Sequence, residues 1–369
     1  MKMKAAVLTR CGAPRPFATS KPIEVLEVDL DPPGEGEVLV KVGGAGLCHS
    51  DLSMVNGDRP RPTPLVLGHE GSGEIVEVGA GVHDVKAGDH ICFTFNVSCG
   101  RCRRCLEGRP YICERAIAPR AAGQLLSGHY RLHLDGKPVN HQSGVSCYAE
   151  YAVVDRGSVV VIDNSLPLDL AALFGCAVVN TAQIQPGSSV AIVGLGGVGL
   201  SGLLGAVLAG AGKIVAIDLS DEKLGLARQL GATDTVNAKD ADHVKQVHDL
   251  TNGGVDYAFD LAGTIKAMET AYLVTRWGGT TVSAGLSPIS ADFAFKQSSL
   301  VSEEKTIKGS YMGSCVPVRD IPRFISLYQQ GKLPVDRMMS KRIGFSELNE
   351  GFDRLQDVAT VRQVLVPHG

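Results

Sequence analysis

The sequence predicts a two-domain α/β protein: a mostly β amino-terminal domain followed by a doubly wound parallel sheet. Three observations support this. The chain has 369 residues, beyond the ~250–300 at which a single hydrophobic core stops growing. Up to about Ile162 it reads as short β segments separated by Gly, Pro and Asp. From Leu168 onward, helical spacing of apolar residues alternates with strand-like runs.

The first region offers EVLVKVGG, EGSGEIVEVG, GDHICFTFN and YAEYAVV as strands, interrupted by two longer irregular inserts. DLAALFGCAVVNTAQ then carries apolar residues at helical spacing. The run SSVAIVGLGGVGLSGLLGAVLAGAGKIVAIDLS is an apolar strand, a glycine turn, an apolar helix and a second strand, which is a βαβ unit. VDYAFDLAG, GGTTVSAG and EKTIKGS supply further strands. Two helical patterns, PVRDIPRFISLYQQG and SELNEGFDRL, and a last strand, RQVLVP, form a tail too short for its own core. The expected division is therefore 1–178 with 314–369 as one domain and 179–313 as the other.

Composition narrows the function. A formal charge of −3 with 44% hydrophobic and 20% charged residues leaves no basic excess for a polyanion, so nucleic acid is not an expected partner. No run of ~18 apolar residues escapes Gly, Pro or charge, so no membrane span is expected. MKMKAAVLTR is too short in apolar residues for a signal peptide, which makes the cytoplasm the default. In that reducing compartment, tightly spaced cysteines are metal ligands more often than disulfides.

GLGGVG places Gly194, Gly196, Gly197, Val198 and Gly199 directly after a strand and at the start of a helix. Glycines there let backbone approach a pyrophosphate, whose charge meets the positive end of the helix dipole. Asp218 ends the next strand about twenty residues on, where a carboxylate accepts from a free ribose 2′-hydroxyl and repels a 2′-phosphate. NAD is thus expected over NADP. Lys223 either adds a ribose contact or is an exposed helix lysine.

Cys99, Cys102, Cys105 and Cys113 have the spacing C-x2-C-x2-C-x7-C, which wraps four thiolates around one tetrahedral ion. Zinc suits that set, with an iron–sulfur cluster as the rival. A four-cysteine site is closed, so it stabilises its loop and does no chemistry. Three separated fragments hold the other candidate ligands: Cys48 in GLCHSDL, His69 and Glu70 in GHE, and Cys176 in FGCAVV. Two thiolates and one imidazole would leave a fourth position open, with Glu70 as a nearby acid or alternate ligand.

In order along nearly the whole chain, GLCHSDL, GHE, GD-H at 88–90, the four-cysteine loop, GC at 175–176, GLGGVG and VAID resemble the zinc-dependent medium-chain alcohol dehydrogenase family. The resemblance implies a GroES-like catalytic domain and a Rossmann NAD-binding domain. It also implies two zinc ions per chain, the catalytic one held by Cys48, His69 and Cys176. By the same resemblance Ser50 starts a proton relay, His49 and Arg362 contact the cofactor pyrophosphate, Asp51 orients a ligating histidine, and Phe95 is a pocket wall. Ser53 departs from the pattern, because many relatives carry a histidine there to hand the proton to solvent. With serine, the relay is expected to end at a ribose hydroxyl or a water.

The insert from Ala116 to Ser146 resembles the liver-type and glutathione-dependent formaldehyde dehydrogenase branches, which implies a homodimer, with a tetramer as the other assembly. The formaldehyde branch is expected to carry an arginine where this chain has Ile117. Phe95, as a pocket wall by resemblance, implies a primary, aryl or medium-chain, alcohol or aldehyde as substrate. Glutathione-adduct oxidation and a zinc-free quinone or alkene reductase of the same superfamily are the alternatives.

Overall fold

The computed structural model describes residues 1–175, 184–355 and 360–369. Two compact units emerge: Met1–Cys176 with Val316–Tyr328 and Met339–Gly369, and Ala177–Cys315 with Gln329–Met338. The tail is therefore shared. Its helix and its last strands belong with the first unit, whereas Gln329–Met338, expected there too, belongs with the second.

In the first unit, Lys2–Leu8, Ile23–Leu30, Leu132–Leu134, Lys137–His141 and Leu65–Val66 close a barrel. A seven-stranded sheet runs in the order Val159–Val161, His90–Phe93, Gly71–Val78, Glu37–Gly46, Arg362–Leu365 and Met339–Ile343, with Tyr151–Asp155 also paired to Glu37–Gly46. The alternation of EVLVKV sends Val38, Val40 and Val42 into one core with Ile75, Ile91 and Phe93. Arg362–Leu365 joins this sheet by pairing Val364 with Gly46, which brings a carboxy-terminal arginine beside the strand that leads into Cys48.

The expected strand GDHICFTFN is shorter than its pattern, ending at Phe93, because the chain then turns into the cysteine loop. DLAALFGCAVVNTAQ begins as a four-residue helix, Leu168–Ala171, and tightens to a 3₁₀ turn at Ala172–Phe174. The rest of that pattern, with Cys176, lies outside the described residues.

The second unit is a six-stranded sheet whose pairs are all parallel. Numbering its strands by sequence gives the order 3-2-1-4-5-6, the doubly wound arrangement in which nucleotides bind where the order reverses. Ser189–Val193 and Lys213–Asp218 flank the helix Gly197–Leu208. Among the described residues no helix is long and apolar enough to cross a membrane.

The glycines of the first turn have different jobs. Gly194 has φ +92°, and a Cβ there would lie 2.6 Å from Ala262. At Gly199 a Cβ would fall 1.7 Å from the Gly194 carbonyl oxygen, so the helix packs on the turn only without one. Gly196 has no neighbour within 4 Å of such an atom: space is left over it.

The long insert is tied to the seven-stranded sheet by two buried acids. Glu37 accepts from the Gly34 N–H at 2.8 Å, Ser127 Oγ at 2.8 Å and Arg131 Nε at 2.7 Å. Asp155 accepts from the Leu126 N–H at 2.6 Å. Burial pushes the Asp155 carboxyl up to about 6, against the lowering pull of that N–H, with Glu37 adding repulsion.

Two stability measurements follow. Gly199→Ala should cost about 1–3 kcal/mol through overpacking, seen as a lower thermal midpoint, while Gly196→Ala should leave the midpoint unchanged. Equal losses would contradict the packing just described. Because the folded pKa of Asp155 exceeds its ordinary 3.8, its stabilising contribution is present below pH 3.8 and lost as pH rises through about 6. Asp155→Asn, which keeps an acceptor for Leu126, should therefore be more stable than the wild type above pH 7. A lower midpoint there would refute this.

Candidate active site

The helix His49–Val55 begins at Cys48, whose extended backbone (φ −126°) makes it the N-cap. Asp51, the third residue of the helix, reaches back and accepts the Cys48 N–H at Oδ2, 3.2 Å away. This is the reciprocal half of a capping box, with a thiol at the cap where Ser or Thr is usual. The cap therefore fixes where the Cys48 sulfur lies.

His69 comes from the loop before the strand Gly71–Val78. Its neighbour Gly68 has φ +101°, and a Cβ there would strike Tyr148 at 2.5 Å. Only glycine permits this turn. The ring of His69 gives Nδ1 to Asp51 Oδ1 at 2.7 Å, so Nδ1 carries the proton and Nε2 presents its lone pair. Nε2 lies 3.1 Å from Ser50 Oγ, which lies 3.0 Å from Cys48 Sγ. Phe95 stands edge-on to the His69 ring, with centroids 5.5 Å apart.

Glu70 is fully buried. Its Oε2 accepts from Arg362 Nη1 at 2.8 Å, and its Oε1 lies 3.6 Å from His69 Nε2 with no hydrogen-bond partner among the described residues. Burial works to raise the Glu70 carboxyl, but the Arg362 guanidinium outweighs it and holds it below the usual carboxylate range. Arg362 is only 2% exposed, and this carboxylate is a partner that its sequence context did not announce.

Cys48, His69 and Glu70 offer donor atoms that all lie within 4.8 Å of one another. A buried carboxylate oxygen without a hydrogen bond, a thiol and an imidazole lone pair form a donor set that a divalent cation fits. The thiol assigned as the further ligand, Cys176, lies outside the described residues.

The residues missed by sequence reasoning surround Asp51. Tyr148 donates its O–H to Asp51 Oδ2 at 2.8 Å, and burial together with Asp51 holds that phenol well above its usual range, so it remains a donor. Gln142 donates from Nε2 to Asp51 Oδ1 at 2.5 Å. Both lie more than ninety positions from Asp51, and no motif marks them.

The four-cysteine loop also converges. Sγ of Cys102 lies 3.5 Å from that of Cys105 and 3.9 Å from that of Cys113. A tetrahedral ion with Zn–S bonds of about 2.3 Å sets its sulfurs ~3.8 Å apart, so the loop has the size of such a site. N–H groups of Cys99 and Cys102 point at Cys113 and Cys99 sulfurs, at 3.4 and 3.3 Å. Backbone hydrogen bonds bring Cys102 down to about 6, while burial and the hydrogen bond to Cys102 push Cys105 up to about 12. Such a cluster ionises fully only with a cation among the sulfurs. Val97, Cys113 and Ala116 form a small core of their own beneath it.

At the nucleotide turn, Asp218 accepts the Leu195 N–H at Oδ2 (2.6 Å) and the Ser220 N–H at Oδ1 (3.0 Å), which ties the second strand end to the glycine turn. The open space over Gly196 and this carboxylate, which retains acceptor capacity, suit a dinucleotide. Lys223 is half-buried, its N–H capped by Ser220 Oγ at 3.2 Å. His49 is exposed. Ser53 Oγ donates to the Ser50 carbonyl at 2.9 Å.

Two family profiles match: an alcohol dehydrogenase GroES-like domain over residues 34–164 and a zinc-binding dehydrogenase domain over residues 197–330. A Mycobacterium tuberculosis protein provisionally named alcohol dehydrogenase D is 40% identical, across 99% of this chain and 100% of that one. The S-(hydroxymethyl)glutathione dehydrogenase of Paracoccus denitrificans is 34% identical, across 99% and 100%. The crystal structure of benzyl alcohol dehydrogenase from Acinetobacter calcoaceticus superposes with a TM-score of 0.91 at 31% identity, covering 100% of this chain and 99% of that one. Matched in both halves and along its full length, the chain belongs to the zinc-binding, medium-chain alcohol dehydrogenase family, with a GroES-like domain and a Rossmann-like parallel-sheet domain.

Proposed function

We propose that this oxidoreductase interconverts primary alcohols, aryl or medium-chain, and their aldehydes with NAD, using a zinc ion held by Cys48, His69 and Cys176. The observation that supports this most is the chain Cys48 Sγ, Ser50 Oγ, His69 Nε2, linked at 3.0 and 3.1 Å. It sets a hydroxyl between two donors of a cation site, where an alcohol oxygen has to bind.

When bound, zinc supplies Lewis acidity, worth several kcal/mol of stabilisation for charge developing on oxygen. The protein's own groups do the rest. Ser50 Oγ orients the substrate hydroxyl and accepts its proton while handing on its own. Ser53, whose hydroxyl donates to the Ser50 carbonyl, cannot hold a proton as a histidine would, so the relay ends at a ribose hydroxyl or a water. Asp51 holds the His69 tautomer, and Phe95 provides an aromatic wall beside the ring. Glu70, gripped by Arg362, balances charge near the donors and is the alternate ligand. Cys99, Cys102, Cys105 and Cys113 would hold a second zinc with no open position.

The dinucleotide is assigned to Gly194, Gly196, Gly197, Val198 and Gly199, with Asp218 accepting from a ribose hydroxyl and Lys223 beside it. His49 and Arg362 are assigned to the pyrophosphate, which asks the Arg362 guanidinium to serve both that anion and Glu70. A cytoplasmic homodimer goes with this reading. Oxidation of S-(hydroxymethyl)glutathione is the second reading, favoured by the Paracoccus relative and opposed by Ile117, which is 61% exposed where an arginine would be needed.

Assays with benzyl alcohol, hexanol and S-(hydroxymethyl)glutathione, each with NAD and NADP, should give the highest kcat/KM for a simple alcohol with NAD. A preference for NADP would overturn the role of Asp218, and a preference for the glutathione adduct would install the second reading. Metal analysis should find two zinc ions per chain. Cys48→Ser should cut turnover at least ~10²-fold, the several kcal/mol that Lewis acidity supplies, while keeping the thermal midpoint. Cys102→Ser should lower the midpoint first. Exchanged outcomes would exchange the two sites.

A further inference from the structure

We infer that Gln142, contributed by the far end of the long insert, is a positioning residue that holds the His69 imidazole for metal binding. It rests on the proposed catalytic zinc. Gln142 is 2% exposed, and its backbone is fixed where its N–H donates to Ser146 Oγ at 2.9 Å and its carbonyl accepts the Val145 N–H at 2.9 Å. Its amide orientation is set by chemistry. The backbone N–H of Gly68 can only donate, so the group facing it at 2.5 Å is Oε1. Nε2 then faces Asp51 Oδ1 at 2.5 Å and lies 3.1 Å from His69 Nδ1.

One side chain thus holds His69 twice. Oε1 secures the N–H of Gly68, the left-handed glycine just before it, whose carbonyl accepts the Cys147 N–H at 3.1 Å. Nε2 secures the carboxylate that receives its ring proton. With Nε2 and His69 Nδ1–H both donating to Oδ1, and the Tyr148 hydroxyl and Cys48 N–H donating to Oδ2, Asp51 has its acceptor positions filled and cannot swing away from the ring. The imidazole is left with one orientation, Nε2 toward Ser50 and Cys48. Partners of this kind change metal affinity by about 10–100-fold when removed.

An apolar side chain of matching length, Gln142→Met, removes both holds and fills the same space. Ser146→Ala serves as the control: it loosens the same turn, because Ser146 Oγ accepts the Gln142 N–H and donates to the Val66 carbonyl at 2.8 Å, yet it touches neither His69 nor Asp51. Zinc release to a chromophoric chelator, followed on the purified full-length protein, reads each site without turnover. The expected result is that Gln142→Met binds the more labile zinc about 10–100-fold more weakly with the four-cysteine zinc unaffected, while Ser146→Ala keeps wild-type zinc affinity at both. Gln142→Met with wild-type affinity overturns the inference alone. So does equal weakening in Ser146→Ala, which makes the effect one of turn stability. A wild-type protein that binds only one zinc overturns the proposed function, and this inference with it.

Discussion

The candidate site depends on one buried carboxylate. Asp51 is fully buried, and it accepts from His69, Gln142, Tyr148 and the Cys48 backbone. An anion without such partners would be too costly inside a protein. With them it becomes a hub whose four spokes come from three places in the sequence, Cys48, His69 and the stretch 142–148. Each spoke does a separate job. The Cys48 N–H starts the helix, the His69 N–H selects the tautomer, and Tyr148 gives its one proton to the second carboxylate oxygen. Gln142 brings in the insert.

The two cysteine-bearing sites differ in how they are built, and the difference suits their assigned roles. The four-cysteine loop is local: its donors lie within fifteen positions, its N–H groups turn onto its own sulfurs, and its core is three residues deep. Such a site stabilises a surface loop and little else. The Cys48–His69 site is assembled from distant segments on a packed β framework, with a second carboxylate, Glu70, locked by an arginine almost three hundred residues away. Donors whose side chains are locked by packing and by buried hydrogen-bond partners are held more precisely than those of an exposed loop. That precision is what an ion with a vacant position needs, because the missing ligand no longer helps to centre it.

The second unit was the more legible in the sequence. A strand, a glycine turn, a helix and a strand follow one another within about thirty residues, so local patterning identifies GLGGVG and Asp218 together. The four-cysteine spacing is legible for the same reason. Cys48, His69 and Glu70 stand out as residue types, but what joins them is tertiary, and spacing carries no information about it. Gln142 and Tyr148 gave no signal at all, since a glutamine in NHQSG and a tyrosine in SCYAEY have no periodicity that marks them. In sequence Arg362 stands out only as a pyrophosphate contact by resemblance, and its place against Glu70 follows from the antiparallel pairing of Val364 with Gly46. The long insert, a branch feature by resemblance, ends at the hub.

The proposed open cation site at Cys48 and His69 is separate from the closed one. Its most direct test is to replace only the labile metal with cobalt(II), whose absorption reports geometry and sulfur ligation. The expected spectrum has intense tetrahedral d–d bands and thiolate charge-transfer bands, both shifting when an alcohol or a small inhibitor enters the vacant position. Weak octahedral bands without thiolate transitions, or a spectrum that no ligand perturbs, would contradict it.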